Sequence, residues 1–334
     1  MSLDEAKAVK PHERLAGVLA DDLAAVDALI RARMASENAP RIPEVTAHLV
    51  DAGGKRVRPM LTLAAARMFD YSGEDHHRLA ATVEFIHTAT LLHDDVVDES
   101  AQRRGRPTAN LLWDNKSSVL VGDYLFARSF KLMVETGSLR VLDILSDAAA
   151  TIAEGEVLQL TAAANLATTE EVYLSVVRGK TAALFAAACE VGGIVGGGTE
   201  DQIAALRTYG DALGIAFQIA DDLLDYGGDT RATGKNLRDD FRERKLTLPV
   251  IKAVAKADDA QLDFWKRTIE KGDQNDGDLD HALALIAQHG TMDLTRADAL
   301  GWTARAKVAL DVLPAGDLRE MLHDLADYVV ARVT

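Results

Sequence analysis

A single cysteine, Cys189, excludes any disulfide within the chain, and its setting Leu184-Phe185-Ala186-Ala187-Ala188-Cys189 is that of a buried, inert thiol. Proline is scarce, seven in 334 residues, and strand-like alternation is almost absent. Both shortages leave all-α as the fold class. Basic residues fall short of acidic ones, 37 against 52 for a net charge of −15, which disfavours nucleic acid as a general partner. Any phosphate binding must therefore be local. The start, Met1-Ser2-Leu3-Asp4-Glu5, lacks a basic region followed by an apolar stretch, so no signal peptide is expected. The most apolar stretch, 181–198, is interrupted by Glu190 and rich in glycine, and does not read as a membrane span. With 48% hydrophobic residues, a globular, soluble, cytoplasmic protein is expected.

Apolar residues recur at helical spacing through 11–37, 57–70, 76–98, 116–136, 139–164, 169–194, 199–226 and 244–257, and the stretch from about 258 carries further amphipathic helices such as 279–288 and 303–313. Turns at Tyr71-Ser72-Gly73, Gly196-Gly197-Gly198-Thr199 and 272–277 separate them. No linker divides the chain. The expectation is one large helical domain over 1–334, with 1–10 a flexible tail.

What is present is one acidic pattern written twice, Asp94-Asp95-Val96-Val97-Asp98 and Asp221-Asp222-Leu223-Leu224-Asp225, 127 residues apart. Each emerges from an apolar helical stretch, where aspartates have no packing reason to be. Helical geometry puts Asp94 beside Asp98 and Asp221 beside Asp225 at i,i+4, where like charges repel unless a cation bridges them. Oxygen-only ligands with open positions suit Mg²⁺ that also holds substrate phosphates. A solvated acidic face explains one such cluster; a repeated pair in apolar surroundings points to two Mg²⁺-carboxylate sites. Each cluster precedes a polar loop with cations: Glu99–Pro107 contains Arg103-Arg104-Gly105-Arg106, and Gly227–Asp240 contains Gly234-Lys235-Asn236. Arginine offers such a loop bidentate contacts to a diphosphate, and lysine a point charge.

Other segments are weaker alone. Gly53-Gly54-Lys55-Arg56-Val57-Arg58-Pro59 is a turn that lets Lys55 and Arg58 converge on an anion, or merely a solvated basic turn. His87 lies on an apolar helix, where a core histidine is the commoner case. Glu84-Phe85-Ile86-His87 matches the Glu-x-x-His element of di-iron bundles, but the only other such spacing, Glu74 to His77, falls at a turn. Gly179-Lys180-Thr181 lacks the first glycine of a P-loop, since position 174 is Leu.

Together these segments resemble the trans-isoprenyl diphosphate synthases, the polyprenyl synthetase family. The matching pieces are GGKRVRP (53–59), EFIHTATLLHDDVVDES (84–100), RRG (103–105), GKT (179–181), FQIADDLLD (217–225), GK (234–235) and KLTLP (245–249), in family order. The resemblance implies an all-α isoprenoid-synthase bundle with a central cavity between two Asp-rich helices. It implies Mg²⁺, three ions with diphosphate bound, held by Asp94, Asp98 and Asp221, with Asp95, Asp222 and Asp225 completing or orienting the shells. It assigns the allylic diphosphate to Arg103, Lys180, Thr181, Lys235 and Lys245, with Gln218 lining that site. Isopentenyl diphosphate falls to Lys55, Arg58, His87 and Arg104. The implied mechanism is metal-assisted ionisation of the allylic diphosphate, attack by the isopentenyl double bond, and proton loss with pyrophosphate as base.

The resemblance also implies a rule for product length. Members that stop early tend to carry an aromatic residue five positions before the first aspartate; here that position is Ala89, followed by Thr90. A long product of about C40–C50, of the kind used for quinone side chains, is the expectation, from farnesyl or geranylgeranyl diphosphate as primer. A homodimer is expected at family level, and transient membrane contact when the apolar product leaves. The competing readings are a C15–C20 synthase, a class I terpene cyclase, and a non-catalytic subunit of a heteromeric synthase. Lys55, Arg58 and two intact aspartate clusters favour elongation over the last two.

Overall fold

The computed structural model describes residues 9–51, 53–103, 105–227 and 239–333. It is helical apart from one two-stranded antiparallel ladder, β1 (Gln102–Arg103) with β2 (Arg106–Pro107), in which Arg103 pairs with Arg106. By contact density the chain divides into two units. The first takes Met1–Leu145, Ala188–Arg207 and Leu310–Tyr328; the second takes Ser146–Ala187, Thr208–Ala309 and Val329–Thr334.

The first unit is organised on α5 (Asp75–Val97), which packs against α2 (Ala20–Met34), α4 (Val57–Arg67) and α7 (Asn115–Glu135). Leu79, Val83, Phe85, Ile86, Ala89 and Leu92 of α5 are all buried. A helix apolar on this much of its circumference is stable only when surrounded. Asp114 caps α7 by accepting from the Ser117 N–H at 2.6 Å. In α10 (Ala183–Val195), a Cβ at Gly192 would lie 2.4 Å from the Thr62 carbonyl of α4, so a close backbone approach requires the glycine there. The glycines at 196–198 form the expected turn, with Gly197 at φ +79°.

In the second unit, Tyr226, Phe241, Val250, Trp265, Ile269, Leu285 and Ile286 form a continuous buried cluster. They come from α11 (Glu200–Gly227), α12 (Asp239–Arg242), α13 (Leu248–Ala255), α14 (Asp259–Trp265) with the π turn after it, and α15 (Asp278–Gln288). Asp258 and Gln261 make a reciprocal capping box at the start of α14. The helical stretch Glu170–Val195 is long and apolar enough to cross a membrane, but 61% of its most apolar window is buried inside the protein, as in a core helix.

The observed elements differ from the periodicity in places. The stretch 11–37 is two helices, α1 (Pro11–Val18) and α2, interrupted at Leu19. Residues 41–51 form α3 (Arg41–Asp51) despite Pro43, because a proline in the first turn forfeits no intrahelical hydrogen bond. The apolar stretch 303–313 is the end of α16 (Thr291–Ala309) and a 3₁₀ turn, and a last helix, α17 (Asp317–Ala331), follows.

Asp22 of α2 is buried and receives the Arg67 guanidinium through two bonds, Nε at 2.9 Å and Nη2 at 2.7 Å. His76 and His77 add Nε2 contacts to its Oδ1 at 3.2 and 2.8 Å. Asp22, His76 and His77 thus have the spacing of metal ligands, but Arg67 already supplies the counter-charge, so the cluster reads as a tie between α2, α4 and α5. Burial pushes the Asp22 carboxyl up, yet Arg67 and His77 outweigh it and hold it well below the usual range. Burial, then the neighbouring His77, lowers His76 below 6.5.

Asp22→Ala is expected to cost about 3 kcal/mol in urea unfolding, because it strands a charge at the tie. His76 binds its proton less readily in the fold than in the unfolded chain, so stability is expected to fall as pH drops through 6.5. Asp22 adds a further loss below 3.8, its unfolded value. Urea titrations from pH 8 to about pH 2 check both; a midpoint unchanged between pH 7 and 5 contradicts the His76 part.

Candidate active site

Both acidic clusters lie at C-terminal helix ends. Asp94 and Asp95 occupy the last turn of α5, and Asp98 is its C-cap residue, its N–H donating to the Asp94 carbonyl at 2.8 Å. Asp221, Asp222 and Asp225 occupy the last two turns of α11. Neither helix carries a basic residue in its last turn. The C-terminal end of a helix dipole is negative, so these carboxylates add to an unfavourable field as well as to one another. A bound cation relieves both.

The first cluster belongs to the first unit. Asp94 and Asp98 are half-buried, whereas Asp95 is wholly buried and accepts from Arg103 Nε at 2.9 Å and Nη2 at 2.8 Å. Burial raises the Asp95 carboxyl, and Arg103 partly offsets it. Asp95 therefore fixes Arg103, and Asp94 and Asp98 keep partial exposure. The loop after this cluster is tied down: β1 and β2 form its ladder, and Thr108 donates to the Ser100 carbonyl at 2.6 Å. Arg104 lies outside the described residues.

The basic turn is held by the same helix. Arg56, in the left-handed region at φ 49°, precedes α4 and forms ion pairs with Glu84 and, at 3.3 Å, with Asp27. Arg58 Nη1 donates to His87 Nε2 at 3.1 Å. Glu84 and His87, the Glu-x-x-His element, thus receive Arg56 and Arg58 from the turn. Lys55 Nζ lies 5.9 Å from the Tyr328 ring centroid. A small cleft is lined by Arg56, Glu84, Thr88, Leu91 and Arg103 among others. Ala89 is fully buried, and Thr90 is half-buried with its hydroxyl on the His87 carbonyl at 2.8 Å.

The second cluster belongs to the second unit. Asp222 is buried and accepts from Tyr173 Oη at 2.6 Å and Gln218 Nε2 at 3.0 Å; Thr181 Oγ1 donates to Gln218 Oε1 at 3.0 Å. Burial raises Asp222, and it raises Tyr173 too, keeping the phenol protonated as donor. Asp225 Oδ2 accepts from the Asp240 N–H at 3.3 Å, and burial beside Asp222 and Asp225 raises Asp240. Asp221 is half-buried and accepts from Arg332 Nη2 at 2.8 Å.

Lys180 and Thr181 sit in a π turn, Arg178–Ala182, that follows α9 (Glu170–Val177). Such turns re-aim side chains. In α8 (Leu139–Ala162) Gly155 faces this turn: a Cβ there would lie 2.7 Å from the Lys180 nitrogen, and one on Gly179 would lie 2.9 Å from the Gly155 Cα. Lys180 Nζ meets Glu156 at 2.9 Å, and Lys245 Nζ meets Glu243 at 2.5 Å. Lys235 lies outside the described residues. Arg56, Glu84, Glu156, Tyr173 and Arg332 escape sequence reasoning because their partners are remote; only Glu84, through its spacing to His87, carried a local signal.

Tyr173→Phe, which removes one donor from buried Asp222, is expected to cost about 1–3 kcal/mol in denaturant unfolding. Gly179→Ala is expected to cost about as much through overpacking against Gly155. A Gly179→Ala variant as stable as wild type contradicts the close approach.

The polyprenyl synthetase family profile matches residues 39–286. The chain is 43% identical over 320 residues to octaprenyl diphosphate synthase of Escherichia coli K12, covering 96% of this chain and 98% of that protein. The crystal structure of a decaprenyl diphosphate synthase from Rhodobacter capsulatus superposes with a TM-score of 0.94 at 73% identity, covering 97% of this chain and 100% of that one. A polyprenyl synthase from Caulobacter crescentus, complexed with calcium and isoprenyl diphosphate, superposes at 0.93 with 48% identity, covering 98% and 100%. An all-helical chain with two aspartate motifs, a basic turn and this likeness along nearly its whole length belongs to the polyprenyl synthetase family.

Proposed function

We propose that this chain condenses isopentenyl diphosphate with an allylic diphosphate, farnesyl or geranylgeranyl, to give an all-trans-polyprenyl diphosphate of about C40–C50 for a quinone side chain. It is a prenyltransferase of the long-chain type, as its octaprenyl and decaprenyl relatives are named. The observation that carries the reading is the pair of aspartate clusters, each ending an apolar helix at its negative pole without a basic residue in the last turn.

The donor set fits Mg²⁺: carboxylate oxygens only, with Asp94, Asp98 and Asp221 half-buried and their neighbours Asp95 and Asp222 already held by Arg103 and Tyr173. Three ions are proposed with diphosphate bound. When bound, they stabilise the charge on the departing pyrophosphate. Arg103, Lys180, Thr181, Lys235 and Lys245 hold the allylic diphosphate and Gln218 lines its site. Lys55, Arg58, His87 and Arg104 hold that of isopentenyl diphosphate. Arg58 donates to His87, so His87 Nε2 is an acceptor and its donor is Nδ1. No carboxylate is needed as general base, and pyrophosphate takes the proton.

A cytoplasmic homodimer is part of the proposal, with transient membrane contact at product release. Exposed Leu120, Phe130 and Val134 along α7 support a helix-face contact. Sedimentation at micromolar concentration is expected to show the dimer.

Incubation with farnesyl diphosphate, labelled isopentenyl diphosphate and Mg²⁺ is expected to give a C40–C50 band after dephosphorylation, abolished by EDTA and by Asp94→Ala. Ala89→Phe is expected to shorten the product. A C15–C20 limit in the wild type overturns the length, and no incorporation from any allylic primer overturns the activity.

A further inference from the structure

Asp221 and Asp222 are adjacent yet differently held. Asp222 receives neutral donors, Tyr173 and Gln218. Asp221 receives a full positive charge from a residue 111 positions away: Arg332, just after α17, places Nη2 2.8 Å from Asp221 Oδ1. The same nitrogen donates to the Phe217 carbonyl at 3.2 Å, and Nε donates to the Val329 carbonyl at 3.0 Å. The guanidinium carbon lies 4.5 Å from the Phe217 ring centroid. Three contacts, to Asp221 and Phe217, therefore seat one guanidinium on α11, whose last turn has no basic residue of its own, and the fourth ties it to Val329 of α17.

This guanidinium answers the same repulsion that a metal ion held by the Asp221 carboxylate would answer. Mg²⁺ or Mn²⁺ binds a carboxylate oxygen at about 2.1 Å, far closer than a hydrogen-bonded nitrogen. Two cations on one oxygen repel, so occupancy by one weakens the other. The side chains are 16% and 29% exposed for Arg332 and Asp221, so the exchange can proceed without opening the core.

We propose that Arg332 is the resident counter-cation of Asp221, and that a divalent ion must displace it before Asp221 becomes a ligand. Metal loading then frees the turn after α17. The inference rests on the reading of Asp221 as a metal ligand and adds a residue outside every motif of the chain.

The test is Mn²⁺ binding to the full chain without substrate, with free Mn²⁺ read by electron paramagnetic resonance. An Asp94→Asn/Asp98→Asn background in every arm removes the first cluster's contribution. Arg332→Met is expected to bind Mn²⁺ about tenfold more tightly, the scale of one charge-assisted hydrogen bond. Arg332→Lys, which keeps a charge, is expected to stay near wild type, and Asp221→Asn to bind more weakly. Equal or weaker binding by Arg332→Met, with Asp221→Asn still weakened, overturns the displacement while the ligand role of Asp221 stands. Unchanged binding by Asp221→Asn overturns the ligand role itself. Should Arg332→Met not fold, hydrogen exchange of residues 329–333 in the otherwise unaltered chain decides: Mn²⁺ is expected to accelerate it, and unaltered exchange overturns the proposal.

Discussion

Carboxylates crowded at the negative end of a helix repel each other and the helix dipole, and the arrangement around both aspartate clusters answers that repulsion. On α5 the middle aspartate is withdrawn into the interior and given Arg103. On α11 it is withdrawn and given the neutral donors Tyr173 and Gln218. Asp222 gives both its oxygens to protein donors and Asp95 gives Oδ1 alone, while the flanking aspartates stay half-exposed. One motif thereby separates into a buried carboxylate held by protein donors and half-buried flanking ones.

The same economy governs the cations. Arg56 is locked by Glu84 and Asp27 in a left-handed conformation that glycine or asparagine normally takes. That lock shapes the turn from which Lys55 and Arg58 project. Lys180 is aimed by a π turn that only two glycines in close approach permit. Arg56 and Lys180 are thus paired and placed by anions, Glu84 and Glu156. The apolar helices α5 and α11 provide the rigid frame; each is buried along most of its length and ends in charge.

Much of this was legible in the chain. The helical periodicity gave α5, α7, α8 and α11 nearly as observed, because their apolar faces are long and uninterrupted. It missed α3, where Pro43 mimics a break, and among the helices expected after 258 it set no bounds for α17, whose apolar residues follow a polar turn. Reading Glu99–Pro107 as an open loop overlooked the ladder, since two-residue strands leave no alternation to detect.

The aspartate motifs, the basic turn and the family were set by local spacing, since i,i+4 geometry and glycine-led turns act over a few residues. Which aspartate faces outward, which cation it meets, and how the Lys180 turn is bent were decided only by tertiary structure. Tyr173 stands 49 positions from Asp222, and Arg332 stands 111 from Asp221. No pattern in the chain relates residues that far apart; folding brings them together because a carboxylate that loses water on burial must find a hydrogen-bond donor in the protein.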